Sequence, residues 1–181
     1  TITNNANLGI FIQSIEDVSI ISADINGNQQ EGLILGATSA AYLNNVRIIG
    51  NNGTGILLNG TYHDYGSRSP VILENVFISG NSSMYYGGGI YSRRNSEIKL
   101  DNVIISNNHV TSTWGGGLFI TDYSGSGNNR PSIIIKNSAI INNSSDYNGA
   151  AIYLKNAHAS LINVTVAGNT TTNGYSSDPS F

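Results

Sequence analysis

Short runs in which aliphatic and polar residues alternate recur along the chain, and asparagine or glycine closes each run. The clearest copy covers residues 98–120, with the sequence IKLDNVIISNNHVTSTWGGGLFI. One run ends at Asn102, a second ends at Asn108, and a third follows the glycine triplet as Leu118-Phe119-Ile120. Alternation with a period of two over such lengths is typical of half-buried β-strands. We therefore predict three short strands in this segment and no helix of useful length in the chain.

Other segments fit the same pattern in one register. The marker that follows the first run of each segment is Asp17, Asn45, Asn75, Asn102, Asn137 and Asn163. An aliphatic residue stands three positions later, at Ile20, Ile48, Ile78, Ile105, Ile140 and Val166. A second marker stands six positions later, at Ala23, Asn51, Asn81, Asn108, Asn143 and Asn169. The first markers are spaced by 26 residues (137 to 163) to 35 residues (102 to 137), and repeats of this length indicate a solenoid.

Each repeat is interpreted as one coil of a parallel β-helix, an all-β solenoid of about six coils with three short strands per coil. The aliphatic columns fill its interior. Asparagine tolerates the left-handed backbone conformation of a sharp bend, and stacked amides can hydrogen-bond to one another. We therefore predict two asparagine ladders at the turns, one through Asn45, Asn75, Asn102, Asn137 and Asn163 and the other through Asn51, Asn81, Asn108, Asn143 and Asn169.

The repeat predicts a single β-helix domain over residues 1–169. Two longer segments, 60–70 and 121–131, both follow a third strand and both end in proline. They are expected to emerge side by side on one edge of the solenoid, where repeat proteins often bind partners. Residues 170–181 lose the pattern and are interpreted as a tail or linker. Since no capping element is evident at either end, we expect the chain to be a piece of something longer.

The middle residue of every predicted third strand points outward and is apolar. This candidate interface stripe consists of Phe11, Ile34, Leu57, Tyr91, Phe119 and Tyr153. A solvated sheet face should instead carry polar residues, and a long apolar stripe marks an interaction surface. We expect another subunit packed laterally, a rod stacked end to end, or the chain's own C-terminal residues to cover the stripe. Lateral self-association is the preferred interpretation.

A second group of aromatic residues precedes the glycine corners. This candidate aromatic patch consists of Tyr85, Tyr86, Trp114 and Tyr147. Clustered exposed aromatic rings suit sugar stacking or a protein interface. The alternative is that these rings cover one another and pack against the two long insertions.

Two tetrapeptides resemble the repeated GGA(I/L/V) and FxxN motifs of polymorphic outer-membrane proteins and related adhesin-like surface proteins. The first is matched by Gly87-Gly88-Gly89-Ile90, Gly115-Gly116-Gly117-Leu118 and Gly149-Ala150-Ala151-Ile152. The second is matched by Ile78 with Asn81, Ile105 with Asn108 and Ile140 with Asn143, with Ile in place of Phe. The likeness covers about residues 40–170. It implies a right-handed parallel β-helix exposed at a cell surface.

Composition narrows the range of partners. Charged residues make up only 10% of the chain, against about 25% in ordinary soluble domains. A net charge of −3 provides no basic surface, so nucleic acid is not an expected partner. No apolar run is long enough to cross a bilayer, so no membrane insertion is expected. The chain has no cysteine, which excludes disulfides and thiolate metal sites, and no cofactor is expected.

Catalysis is the serious alternative because parallel β-helices include polysaccharide lyases and hydrolases. The outward column before the first marker is Glu16, Asn44, Glu74, Asp101, Lys136 and Ile162. Glu74 and Asp101 would lie on adjacent coils, near the separation that retaining glycosidases use. The simpler interpretation is a solvated polar face, with Asp101 partly compensated by Lys136. The histidines, His63, His109 and His158, are placed in an insertion and in turns, in no common register, so no metal site is predicted.

The sequence therefore favours a non-enzymatic extracellular β-helix, a segment of a cell-surface adhesin, stalk or filament subunit. The expected partners are further copies of the chain or other surface proteins, and carbohydrate is a further candidate. A carbohydrate-active enzyme and a shaft like that of a phage tailspike remain the alternatives.

Overall fold

The computed structural model describes residues 1–13, 17–36, 40–59, 69–93, 96–122 and 130–173. These residues form an all-β solenoid of about five turns with three parallel sheets. Strands are numbered β1 to β19 in chain order. No helix long and apolar enough to span a membrane occurs in these ranges.

The first sheet, sheet A, contains nine strands and wraps around two sides of each coil. Its strands are β1 (Ile2–Thr3), β3 (Asp17–Asn26), β5 (Ala40–Ile49), β7 (Ser69–Glu74), β8 (Phe77–Ser79), β11 (Ser96–Asp101), β12 (Ile104–Ser106), β15 (Ser132–Ile141) and β18 (His158–Ala167). The long strands β3, β5, β15 and β18 each pass through both sides without a break. Elsewhere the bend at Asn75 separates β7 from β8, and the bend at Asn102 separates β11 from β12.

Sheets B and C form the remaining sides. Sheet B contains β2 (Ile10–Gln13), β4 (Leu33–Gly36), β6 (Ile56–Asn59), β10 (Ile90–Arg93), β14 (Leu118–Thr121) and β17 (Ile152–Lys155). Sheet C contains β9 (Ser82–Ser83), β13 (His109–Val110), β16 (Ser144–Ser145) and β19 (Thr170–Thr171). Strand β19 pairs with β16, so the coil extends to Thr171 into the segment that the sequence assigned to a tail. Residues 174–181 lie outside the described residues.

The interior is a stack of aliphatic columns from sheets A and B. Leu43, Ile48, Ile78, Ile105 and Ile140 are each at most 1% exposed. Burying an aliphatic side chain of this size contributes roughly 1.5–3 kcal/mol, and the columns therefore hold adjacent coils together. The predicted inward positions are buried from Leu33 to Ile140, whereas Leu161 and Val166 in the last described coil are exposed.

The predicted register of the first full coil is wrong. Strand pairing places Ser22 beside Asn45, and Ile25 pairs with Ile48. The residues assigned from sequence, Asp17, Ile20 and Ala23, pair instead with Ala40, Leu43 and Val46. The error arose because Ser22, which is not a typical left-handed residue, adopts φ +54° at this bend. The residues from Asp17 onward also fit the spacing of the repeat, so the sequence alone did not reveal that the marker of this coil is Ser22.

The second ladder is a buried chain of amides that ties three coils together at each step. Asn51 donates from its backbone N–H (3.0 Å) and from Nδ2 (2.8 Å) to Asn81 Oδ1 in the next coil. Its Nδ2 also donates to the Ile25 carbonyl of the previous coil at 3.2 Å. The same pattern recurs at Asn81, Asn108 and Asn143 and ends on Asn169. This predicted ladder is confirmed, and the structure adds Asn5 and Asn28 at its beginning.

The first ladder lies at the surface and turns the chain between the two sides of sheet A. Its members adopt φ between +48° and +54°, the left-handed conformation for which asparagine is suited. Asn102 Nδ2 donates to Asn75 Oδ1 at 2.7 Å, and Asn163 Nδ2 donates to Asn137 Oδ1 at 2.9 Å. Between them, Asn137 Nδ2 donates to Asp101 Oδ1 at 2.9 Å rather than to an asparagine. At the other end, Asn75 Nδ2 donates to Asn44 Oδ1 at 3.2 Å rather than to Asn45. The predicted column is therefore confirmed, but only two of its four steps are direct asparagine-to-asparagine bonds within the column.

Candidate functional site

The candidate interface stripe forms one continuous column on the outer face of sheet B. Strand pairing places its six members in direct succession: Phe11, Ile34, Leu57, Tyr91, Phe119 and Tyr153. Their exposure is very uneven, from 56% for Phe11 to 8% for Tyr91 and 1% for Phe119. The centre of the stripe is therefore covered by other residues of the same chain.

Rings from the candidate aromatic patch cover the centre of the stripe. The Tyr86 ring stacks on Phe119 with centroids 5.0 Å apart and lies 5.3 Å from Tyr91. The Trp114 ring stacks on Tyr153 at 5.4 Å and lies 6.4 Å from Phe119. Such pairs typically add about 0.5–1.5 kcal/mol beyond area burial. The centre of the stripe is thus covered by residues that precede the glycine corners. From the sequence, we expected a lateral subunit, a rod stacked end to end, or the C-terminal residues to cover it.

The two parts of the aromatic patch have different surroundings. Tyr86 and Trp114 form an isolated parallel bridge, and their rings stack at 6.1 Å. Tyr85 is 63% exposed, and its neighbour Met84 is 60% exposed, while Tyr147 is half-buried. The sequence interpretation missed Met84. Its position beside Tyr85 at an outward corner was the available signal.

Glycine makes the covering layer possible because it lets the corner approach sheet B. Gly115 has φ +77°, and a Cβ added there would lie 2.7 Å from Phe119 Cβ. Gly149 has φ +68°, and its added Cβ would lie 2.8 Å from Tyr153 Cβ. Both distances are below any normal contact, so only a residue without a side chain fits. The glycine corners therefore position Trp114 over the stripe as well as turning the chain.

The two candidate acids lie side by side in sheet A. Asp101 pairs directly with Glu74, and Lys136 follows Asp101 in the column. Glu74 Oε2 accepts a hydrogen bond from Tyr42 Oη at 2.7 Å, across the preceding coil boundary. Asp101 Oδ1 accepts from Asn137 Nδ2 at 2.9 Å, across the following boundary. Both carboxylates therefore hold neighbouring coils together. Glu16 lies outside the described residues, and Ile21 pairs with Asn44 in its place.

The hydrogen bond to Glu74 changes the ionisation of Tyr42. Donation to the carboxylate favours the neutral phenol and raises the pKa of Tyr42 above its usual 10.0. A hydrogen bond with Asn44, whose Nδ2 donates to Tyr42 Oη at 2.6 Å, opposes this increase in pKa. The Tyr42 hydroxyl therefore accepts a hydrogen bond from Asn44 and donates one to Glu74.

The histidines are not brought together. His109 lies in β13 and His158 in β18, so both occupy strands rather than the predicted turns. His109 Nδ1 lies 2.8 Å from Ser144 Oγ in the next coil. His63 and most of both long insertions lie outside the described residues. Within the described ranges, no group of three or more acidic or histidine side chains is arranged to hold a metal ion.

The last described coil leaves part of the core open. Leu161 and Val166, which pair with the buried Ile135 and Ile140, are 47% and 42% exposed. A cavity of about 230 Å³ lies at this end, lined by Ala150, Ala151, Val166, Ala167, Gly168, Asn169 and Thr171. Its lining is mostly backbone and small side chains.

Parallel coils, buried amide ladders and a layered aromatic face together define a parallel β-helix. Residues 1–130 match the family model described as "Right handed beta helix region". The chain therefore belongs to this family, which also establishes the hand of the solenoid. No curated protein and no solved structure matches the chain.

Proposed function

We propose that this chain is a non-enzymatic, extracellular β-helix that acts as a structural or adhesive segment of a cell-surface protein. The observation that carries the proposal is the position of the candidate acids. Glu74 and Asp101 accept hydrogen bonds from adjacent coils, from Tyr42 and Asn137 respectively. Side chains used to join coils contribute to a stiff rod, which is what a stalk or adhesin segment requires.

The outer aromatic corner supports the adhesive part of this proposal. Met84 and Tyr85 project from the corner next to the packed Tyr86 and Trp114 rings. Exposed apolar groups on a rigid base are suited to contact with another surface protein or with a sugar ring. The resemblance of the glycine and asparagine motifs to adhesin-like surface repeats points in the same direction.

The experiment that tests the absence of catalysis compares the chain with Glu74→Gln combined with Asp101→Asn. Both proteins are incubated with a panel of acidic and neutral polysaccharides, and new reducing ends and unsaturated products are measured. We expect neither protein to release products above the buffer background. We also expect the double variant to remain folded, because Gln and Asn retain acceptor oxygens for Tyr42 and Asn137.

A carbohydrate-active enzyme is the second candidate, favoured by the direct pairing of Asp101 with Glu74. Neighbouring strands lie about 4.8 Å apart, close to the roughly 5–5.5 Å between the carboxyl groups of retaining glycosidases. Polysaccharide cleavage by the unaltered chain that disappears in a folded double variant would establish this function and overturn the first proposal.

A further inference from the structure

Asparagine side chains differ in chemical stability according to the residue that follows them. The backbone nitrogen of the next residue can attack the side-chain Cγ when that nitrogen is free, and glycine offers the least obstruction. Asparagine is accordingly among the thermolabile residues. The described asparagines therefore differ in two respects: whether the N–H of the following residue donates a hydrogen bond, and whether the asparagine side chain is itself hydrogen-bonded.

The buried ladder protects its asparagines from this reaction. Ser82 N–H, which follows Asn81, donates to the Asn51 carbonyl at 3.0 Å. His109 N–H, which follows Asn108, donates to the Asn81 carbonyl at 2.9 Å. The residues after Asn51, Asn143 and Asn169 are bonded in the same way. Each following nitrogen is thus occupied. The ladder amides from Asn51 to Asn143 are held by the next coil, and the last, Asn169, donates to the Ile140 and Ala167 carbonyls.

The structure describes three asparagine–glycine pairs, of which Asn26–Gly27 and Asn52–Gly53 present opposite environments. In the third, Asn148 has an interaction partner and Gly149 has φ +68°. Gly27 N–H donates to the Ile49 carbonyl at 3.0 Å, and Asn26 Oδ1 is buried. By contrast, Asn52 is exposed and Gly53 is half-buried at a bend. Within the described ranges, neither the Asn52 side chain nor the Gly53 N–H takes part in a hydrogen bond.

We propose that Asn52 is a site of spontaneous deamidation that this fold leaves open. The Gly53 nitrogen forms a bond to Asn52 Cγ, the bond from Cγ to the side-chain amide nitrogen breaks, and ammonia leaves. The resulting five-membered imide is opened by one water molecule. Opening at one carbonyl gives aspartate at position 52, and opening at the other gives isoaspartate. Either product adds a negative charge at the bend.

The modification affects the aromatic layer through Thr54. An isoaspartyl link adds a backbone carbon beside Gly53, where an added Cβ would already lie 2.6 Å from the Glu31 nitrogen. The next residue, Thr54, donates from Oγ1 to the Tyr86 carbonyl at 3.0 Å. A shift of this bend therefore moves Tyr86, whose ring stacks on Trp114. Trp114 is the only tryptophan in the sequence and reports the change by its fluorescence.

The test follows deamidation in the folded 181-residue chain at mildly alkaline pH by peptide mapping with mass spectrometry. Aspartate and isoaspartate peptides are separated chromatographically, and Trp114 fluorescence is recorded on the same samples. We expect Asn52 to react at least about tenfold faster than Asn26, because Gly27 N–H must first be released by local opening. In a urea-unfolded sample the two pairs should react at similar rates.

Asn52→Gln is the matched control because glutamine forms the corresponding six-membered ring far more slowly. This variant should abolish the change at position 52 and the accompanying fluorescence drift. Equal rates for Asn52 and Asn26 in the folded chain would overturn the proposal. It would also fail if the ladder residues Asn81 or Asn108 reacted as fast as Asn52, or if the Asn52→Gln variant showed the same drift.

Discussion

Single amides in this protein differ in how many coils they join. A buried ladder member such as Asn108 donates to the Ile78 carbonyl of the previous coil and to Asn143 of the next. It also accepts two hydrogen bonds from Asn81. A surface member such as Asn102 makes one side-chain bond, to Asn75, and otherwise supplies a left-handed bend. Removing the Asn108 amide should therefore lower the free energy of unfolding by a different amount from removing the Asn102 amide.

We expect Asn108→Leu to destabilise the protein by about 3–6 kcal/mol, because it leaves several buried groups unsatisfied at about 1–3 kcal/mol each. Asn102→Leu should cost about 1–3 kcal/mol, mostly from forcing leucine into the left-handed region. Asn102→Gly, which tolerates φ +53°, should recover much of that loss. Chemical denaturation monitored by circular dichroism measures all three. Equal losses for the two leucine variants would contradict the assigned roles.

The Tyr42 phenol provides a second test at residue scale. Its pKa is raised chiefly by donation to Glu74, so Glu74→Ala should lower it toward the ordinary value of about 10. Because the folded pKa is raised, any stability from this bond is present below the unfolded pKa and is lost as pH rises through the folded pKa. A pH titration of carbon-labelled tyrosines by NMR, with Tyr42→Phe for assignment, measures the shift. An unchanged Tyr42 pKa in Glu74→Ala would exclude the carboxylate as its cause.

Much of this residue-level pattern could be predicted, and the exceptions have physical reasons. Both asparagine columns could be predicted from Asn45 onward, because amides that stack on one another must recur at equivalent positions of successive repeats. The place of Ser22 in the first column could not be predicted, because serine has no strong preference for the left-handed conformation that it adopts here. Asn5 and Asn28 were missed although Asn5, Asn28 and Asn51 follow one another at intervals of 23 residues. That shorter period was the signal for the correct register.

Among the elements, the glycine corners determine how the aromatic layer meets sheet B. The sequence placed Tyr86 and Trp114 before the corners and Phe119 in the strand beyond. It could not show that the corner folds back over Phe119, because that approach depends on positive φ and on the missing Cβ atom. Gly115 supplies both. The covered centre of the stripe is therefore a property of the corner and strand together.

Gly115→Ala should destabilise the protein more than Gly50→Ala does. Gly50→Ala is the control because it makes the same substitution at another glycine with positive φ. Both glycines have positive φ, +77° and +62°, but an added Cβ at Gly50 meets nothing within 4 Å. Gly50→Ala should therefore cost only backbone strain, roughly 1–2 kcal/mol. Gly115→Ala should add about 1–3 kcal/mol from overpacking against Phe119 and alter Trp114 fluorescence. Equal costs with unchanged fluorescence would show that the corner does not position the ring.

Across the whole molecule, strand register repeats from coil to coil while surface exposure does not. The outward stripe keeps its apolar character through all six strands of sheet B, yet the chain's own rings pack only on Tyr91, Phe119 and Tyr153. Ile34 is also buried, at 8% exposure. Phe11 at one end is 56% exposed, and Leu57 is half-buried. The sequence could predict the stripe from periodicity alone. It could not predict the coverage, which depends on long-range packing of residues from the adjacent corners.

Lateral self-association is proposed through these less covered positions. Phe11→Lys combined with Leu57→Lys should weaken association, because two buried charges at an apolar contact carry a large desolvation cost. Phe119 is unsuitable for this test because it is 1% exposed, and a lysine there would disrupt the fold. Ser19→Lys with Thr111→Lys adds the same charge at exposed positions elsewhere and serves as the control. Sedimentation velocity over a range of concentrations should show a smaller assembled fraction for the stripe variant alone. A folded stripe variant that associates as strongly as the control would exclude this surface as the lateral contact.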